Sequence, residues 1–232
     1  MPYPSTSFIL TIVAAALVIP AIAGSAQPPT IKTLNGTIVG SSQNGIDSFL
    51  GIPFAKPPTG ALRLKPPRPI DQPLGTFHAT GTPTACPQII TSTVSAGAPA
   101  MSTPAPPPEG EDCLTLNIQR PSNISLEKKL PVLFWIFGGA FQVGSTQTAN
   151  ASTIIQKSQA LGSEIIYVAA NYRANGFGFL AGKELQRDGS TNLGLRDQRA
   201  ALQWVAENIE GMYYISRRQH KSGCCLLGAD VV

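Results

Sequence analysis

Val132-Leu133-Phe134-Trp135-Ile136-Phe137-Gly138-Gly139-Ala140-Phe141 decides the architecture. Its first six residues form an unbroken apolar run. A strand apolar on both faces belongs in a sheet covered on both sides, not in one with a wet face. Two glycines then end the run. Consecutive glycines at a strand end let the backbone turn so that N–H groups point into a cleft. Acyl transfer needs such groups, because each fixed N–H donor stabilises a tetrahedral oxyanion by roughly 3–4 kcal/mol. A Gly-Gly pair alone also fits an ordinary turn, so the neighbouring sequence has to carry the decision.

Outward from this strand, Ile165–Ala170 is a second apolar run, and Ser152–Leu161 between the two reads as a helix. Upstream, Leu114–Gln119 alternates as a strand. Downstream, Leu193–Ile209 is a predicted helix with Leu195, Leu202, Val205 and Ile209 as its apolar stripe and Trp204 beside it. Strand, helix, strand, helix predicts an α/β fold with a largely parallel sheet. Ile31–Val39 and Asp47–Ile52 read as two short strands, with Asn44-Gly45 as the turn between them. The stretch from Gly51 to Gly60 carries Pro53, Pro57 and Pro58, which forbid regular structure and predict an ordered loop. Thr103–Gly110 is a second Pro-rich loop. The strand that the alternation demands after Ile209 is not legible.

The 232 residues suffice for one domain with a real core. The formal net charge is +4, but Arg217, Arg218 and Lys221 against Asp230 place half of it in the last 22 residues. The body from Gln27 to Glu210 carries a scattered excess and no basic stripe, which argues against nucleic acid as a partner. Residues 1–26 contain no charged side chain. Phe8 to Ile22 is apolar apart from Thr11 and Pro20, and small residues follow. This predicts a secretory signal cleaved after Ala23 or Ala26. The run is short for a membrane span, so no stable membrane anchor is expected. Sequons at Asn35, Asn123 and Asn150 accord with secretion and predict N-glycosylation. Cys86 and Cys113 enclose 26 residues rich in Pro, Ala, Ser and Thr. A bridge there would stabilise by about 3–4 kcal/mol through loop entropy. Cys224 and Cys225 are adjacent, and neighbouring cysteines rarely pair with each other.

Six ordered segments then make the pattern specific. They are Gly51-Ile52-Pro53-Phe54-Ala55 with Pro57-Pro58; Leu62-Arg63-Leu64; Glu111-Asp112-Cys113-Leu114-Thr115-Leu116-Asn117; Gly138-Gly139-Ala140-Phe141 with Gly144-Ser145; Asn171-Tyr172-Arg173 with Gly178-Phe179-Leu180; and Asn192-Leu193-Gly194-Leu195-Arg196-Asp197-Gln198 through Trp204-Val205 and Asn208-Ile209. In this order they resemble the type-B carboxylesterase/lipase family, which includes cholinesterases and fungal lipases. The resemblance implies the N-terminal portion of an α/β-hydrolase: a small antiparallel N-terminal sheet and the first strands of the central sheet. It implies oxyanion donors at the Gly139 and Ala140 N–H groups, with a third donor following the nucleophile. Many members carry His before the glycines, where this chain has Phe137. The resemblance further implies a Cys86–Cys113 disulfide closing a lid-like loop, and structural ion pairs of Arg63 with Glu111 and of Arg173 with Asp197. The implied substrate of the full-length form is a small-molecule or lipid ester. No cofactor and no metal is implied.

The catalytic groups of that family are absent from these residues. The nucleophile occupies G-x-S-x-G, and the triad runs Ser, Asp/Glu, His along the chain. No serine here has glycine two positions before and two after it. The two histidines are His78, which precedes the Gly-Gly loop, and His220, which lies in the tail. The resemblance ends at Glu210. The expected organisation is therefore a signal peptide over 1–26, the N-terminal part of a carboxylesterase/lipase domain over 27–210, and a non-homologous tail over 211–232, read as retained intron or shifted frame. The alternative for the tail is a genuine C-terminal strand over Cys224–Val232. As it stands the chain is expected to be inactive. The alternative for the whole is a non-catalytic α/β-hydrolase-like binding or adhesion module.

Overall fold

The computed structural model of the chain describes residues 27–88, 108–122, 124, 129–148 and 150–209, and the backbone of 224–228. The predicted signal, the sequon at Asn123, most of the second Pro-rich loop and His220 lie outside the described residues.

The expected single strand over Ile31–Val39 is instead two strands. β1 (Thr30–Thr33) and β2 (Gly36–Val39) pair antiparallel, with Ile31 opposite Ile38 and both side chains buried. The reversal falls at Leu34-Asn35, where Asn35-Gly36 interrupts the run with a turn-forming pair. A third strand, β5 (Gly75–His78), joins β2 in parallel, so the small sheet is antiparallel in its first pair only.

The central sheet has six strands among the described residues: β3 (Ser41–Gln43), β4 (Ile46–Pro53), β6 (Thr115–Pro121), β7 (Val132–Ile136), β8 (Ile166–Ala170) and β9 (Cys224–Gly228). Their spatial order is β3-β4-β6-β8-β7-β9. Asn44 and Gly45, both at positive φ, form the tight turn between β3 and β4. The expectation of a largely parallel sheet is corrected. β3/β4, β4/β6 and β6/β8 are antiparallel, and parallel pairing is confined to β7/β8 and β7/β9. Parallel neighbours need a crossover connection. Helix α1 (Ser152–Ala160) between β7 and β8 provides one, whereas a tight turn joins β3 to β4. A strand also follows the last helix after all. The backbone of Cys224–Gly228 pairs with β7, Cys224 lying opposite Val132.

The two-sided burial predicted for Val132–Phe137 is observed. Val132 and Phe134 join the core on one face, with Ala201, Trp204, Val205 and Ile209. Leu133 and Trp135 pack on the other, with Ile155 of α1 and Tyr167. Two short helices, α2 (Asn175–Phe179) and α3 (Lys183–Asp188), escaped the sequence reading and precede α4 (Leu193–Asn208).

The buried face of α4 also differs from the expected stripe. Leu195 is exposed, while Leu193, Gly194, Asp197, Ala201, Trp204, Val205 and Asn208 are buried. The reason is what the N-terminal half of α4 packs against. A Cβ at Gly194 would lie 2.4 Å from the Arg173 carbonyl oxygen, so only glycine permits the approach. Asp197 faces the same segment and is wholly buried. It accepts from the Arg173 Nε (2.8 Å), Nη2 (2.8 Å) and backbone N–H (3.1 Å). The Arg173 Nη1 also donates to the Lys65 carbonyl at 2.9 Å. At its other end, α4 holds the β1–β2 turn. The Leu34 N–H donates to the Asn208 Oδ1 at 2.9 Å, and the Asn208 Nδ2 donates to the Trp204 carbonyl at 2.8 Å.

Burial pushes the Asp197 carboxyl up, against the pull of the Arg173 guanidinium. The pair therefore fixes geometry rather than adding stability over an apolar replacement. Removing one partner strands the other charge in the core. Arg173→Met or Asp197→Asn alone is expected to lower the unfolding free energy by about 3–5 kcal/mol in urea titrations, and the double replacement Arg173→Met/Asp197→Leu by less. Single variants that melt like the parent would show that α4 is held by its apolar contacts instead.

Candidate active site

The carboxyl ends of parallel strands are where α/β sheets place their binding crevices. Here the carboxyl ends of β7 and β8 run into two loops, Phe137–Gly144 and Asn171–Ala174, and the loops hold each other. The Phe137 ring is buried and stacks on Tyr172, with centroids 4.1 Å apart and planes 11° from parallel. The Tyr172 hydroxyl donates to the Phe137 carbonyl at 2.8 Å. Burial pushes the Tyr172 phenol up to about 12, so it remains a donor across the physiological range. Phe137 therefore anchors the loop from beneath.

Beyond Phe137 the backbone makes an unusual excursion. Gly139 has φ 122°, and Ala140 and Phe141 follow at 53° and 60°. Two consecutive non-glycine residues in the left-handed region store roughly 1–3 kcal/mol each, and such geometry persists only when the surroundings over-determine it. They do so here. The Gln142 and Val143 N–H groups both donate to the Gly139 carbonyl, at 2.9 and 3.2 Å. The Asn175 N–H donates to the Phe141 carbonyl at 2.6 Å. The Phe141 ring leans on Phe179, with centroids 4.4 Å apart. A Cβ at Gly139 would lie 2.0 Å from the Val143 carbonyl oxygen, so no other residue fits. The consequence is chemical. Among the described residues the Gly139 and Ala140 N–H groups have no acceptor. Successive free N–H groups in such a turn form an anion-binding concavity. Phe141 and Val143, both exposed, provide apolar surface beside it.

The remaining residues singled out by sequence fall around this loop. Cys86 and Cys113 form a disulfide, both cysteines buried. The segment they close runs mostly through residues 89–107, outside the described residues. The Arg63 Nε and Nη2 meet the two Glu111 carboxylate oxygens at 2.6 and 2.7 Å, clamping the Gly60–Leu62 turn to the neck of that segment. The Arg63 side chain is half exposed, so solvent screens the pair. Asn150 is exposed. Asn35 is half-buried, and its Nδ2 donates to the Ile70 carbonyl at 3.3 Å. His78 is exposed on β5 and lines a separate cavity of about 670 Å3, between Leu50, Phe77 and Asp112, which the Gly-Gly loop does not reach. Among the described residues no group of His, Cys, Asp or Glu is arranged to hold a metal ion.

Sequence reading missed the residues that brace the loop, Tyr172, Asn175 and Gln88, and also a second buried ion pair at the other end of the sheet, Arg120 with Asp47 at 3.2 Å. Gln88 and Gly144 stand 56 positions apart, and no local pattern marks such a pair. Tyr172 lay within a recognised segment, but nothing in its spacing pointed to Phe137. Tyr172→Phe keeps the stack and removes the hydroxyl, leaving the buried Phe137 carbonyl unpaired. Its expected cost is about 1–3 kcal/mol in thermal or urea unfolding. An unchanged midpoint would mean that the ring stack alone anchors the loop.

Comparison with known proteins accords with this geometry. Secreted lipase 1 of Botryotinia fuckeliana is 48% identical over 216 residues, covering 88% of this chain and 38% of that lipase. A secreted triacylglycerol lipase, LIP1, of Gibberella zeae is 46% identical over 202 residues, covering 82% of this chain and 34% of that one. Among solved structures, EstA of Aspergillus niger superposes with a TM-score of 0.69 at 31% identity, over 87% of this chain and 35% of its own. The chain thus spans a little over a third of the length of these relatives. The carboxylesterase family matches residues 27–212, which include every strand and helix described up to the end of α4. With a mixed α/β sheet, a braced glycine loop at its carboxyl edge and this match along the chain, the protein belongs to the carboxylesterase family.

Proposed function

We propose that the chain is the N-terminal part of a secreted carboxylic ester hydrolase, in which the Gly139 and Ala140 N–H groups are two of the oxyanion donors. One observation carries the reading. A loop strained over two non-glycine residues is held so that those two N–H groups have no acceptor among the described residues. Donors placed in advance at the position of a developing negative charge are the largest single contribution in acyl transfer. The names of the fungal relatives support a lipid or other carboxylic ester as substrate of the full-length form.

Nucleophile, acid and histidine base are not among these 232 residues in the arrangement that the family uses. An oxyanion hole without them leaves only residual catalysis. The purified chain is therefore expected to hydrolyse p-nitrophenyl butyrate at no more than a residual rate above buffer, and a fluorophosphonate probe is expected to leave its serines unlabelled. Stoichiometric labelling of one serine, with turnover, would contradict the proposal. Extension by coding sequence that supplies a G-x-S-x-G segment and a later histidine is expected to confer turnover.

Secretion has its own readout. Expressed in a fungal host, the chain is expected in the medium, beginning at Gly24 or Gln27. Asn150 is expected to carry an N-glycan. Asn35 is expected to stay unmodified, because the atom that would carry the glycan is already bonded to Ile70. Peptide mapping after deglycosylation distinguishes the two sites.

A further inference from the structure

The segment 83–88 runs into the disulfide at Cys86 and lies along the two site loops. Four of its residues bond to those loops or to the residues that follow them directly. The Gln147 Nε2 donates to the Pro83 carbonyl. The Asn171 Nδ2 donates to the Thr84 carbonyl at 3.0 Å, and the Asn175 Nδ2 to the Pro87 carbonyl at 2.7 Å. Last, the Gly144 N–H donates to the Gln88 Oε1 at 2.8 Å. This fourth bond differs from the others. In the other three, a side chain in or just after the site loops reaches out to the 83–88 backbone. Here a side chain of that segment accepts from the backbone of the Gly139–Gly144 turn itself, just before the buried Ser145 and Thr146.

The Gln88 backbone is itself tightly held. Cys86 is joined to Cys113 two positions before it, and Pro87 fixes the φ between them. The Ala85 N–H donates to the Pro108 carbonyl at 2.8 Å, and the Gly110 N–H donates to the Ala85 carbonyl at 3.0 Å, so the two ends of the disulfide-closed segment are also paired by backbone. The Gln88 N–H donates to the Glu109 Oε2 at 3.3 Å. A position fixed by a disulfide, a proline and a paired neck presents one amide oxygen to the turn that carries Gly139 and Ala140.

We propose that Gln88 is a positioning residue for the oxyanion loop: through its Oε1 on the Gly144 N–H, the disulfide-closed neck holds that loop in its left-handed turn, and breaking the Cys86–Cys113 bond releases it. The proposal rests on the oxyanion reading for its catalytic meaning, but the coupling is measurable without turnover. Gln88 touches no reacting atom, and it acts only through the loop backbone. Its amide oxygen is the acceptor that the Gly144 N–H uses, so a side chain of the same length without an acceptor breaks the link while keeping the packing.

The test is amide hydrogen exchange on the oxidised 232-residue chain, comparing the parent with Gln88→Met and Gln88→Glu. Gln88→Met is expected to speed exchange of the Gln142, Val143 and Gly144 amides at least tenfold, with β6 and β8 unchanged. Gln88→Glu, which keeps an acceptor oxygen at the same reach, is expected to stay within threefold of the parent. Reduction of the parent is expected to reproduce the Gln88→Met pattern and to add little to Gln88→Met itself. Equal loop exchange in the parent and Gln88→Met, or failure of Gln88→Glu to restore protection, would overturn the proposal. If Gln88→Met loosens the core strands as well, reduction of the parent decides: loop exchange that is unchanged on reduction overturns the coupling. Failure of the oxyanion reading would show instead in the ester assays on an extended chain, with the exchange pattern intact.

Discussion

The buried pair of Arg173 with Asp197 is the constraint on which most of the architecture turns. Arg173 lies just past the carboxyl end of β8, and Asp197 sits on the face of α4 that meets it. Two side-chain bonds and one backbone bond join them, and a further donor of the same guanidinium reaches the Lys65 carbonyl in the Pro-rich loop region. One side chain thus ties the central sheet, the helix that covers it and the N-terminal loops together. The helix can come this close because position 194 is glycine. Burial works against the charged carboxylate, so the arrangement is maintained by completeness: each of the three guanidinium nitrogens donates a hydrogen bond, and neither charge is left alone.

With β8 and α4 fixed, the Asn171–Ala174 loop has a defined position, and the Gly-Gly loop is built against it. Tyr172 supports Phe137, the Asn175 N–H donates to the Phe141 carbonyl, and the Asn171 Oδ1 accepts from the Thr146 N–H at 2.9 Å. The strained turn is therefore the last member of a chain of contacts that starts at a buried ion pair. Strain at Ala140 and Phe141 is tolerable because the loop cannot relax without breaking several bonds at once. What results is a pair of N–H groups without an acceptor among the described residues, the kind of arrangement that acyl transfer exploits.

Much of this was legible before any coordinates. Val132–Phe137 announced a strand buried on both faces, and the core places Val132 and Phe134 on one side and Leu133 and Trp135 on the other. The helices over Ser152–Ala160 and Leu193–Asn208 were readable to within a residue at each end. The misreadings share a cause. Hydrophobic periodicity records which residues avoid water, not which segment they meet. Leu195 looked like core and is exposed, whereas Gly194, Asp197 and Asn208 lie outside the expected apolar stripe and are buried. Each of the three is buried for a specific contact: a backbone too near for a side chain, a guanidinium, and the turn at Leu34. Strand direction was equally hidden, since the one apolar run of β8 pairs antiparallel with β6 along one edge and parallel with β7 along the other.

Residue order alone therefore established the family, the presence of a Gly-Gly loop after a buried strand, and the lack of a flanked serine or a suitably placed histidine. These are properties of composition and spacing along one dimension. The left-handed turn at Ala140 and Phe141, the bracing by Tyr172 and Asn175, and the reach of Gln88 to Gly144 across 56 positions emerged only on folding. They depend on backbone torsions and on contacts between segments far apart in the chain, and a hydrogen bond leaves no trace in sequence until the fold brings its donor and acceptor within 3 Å.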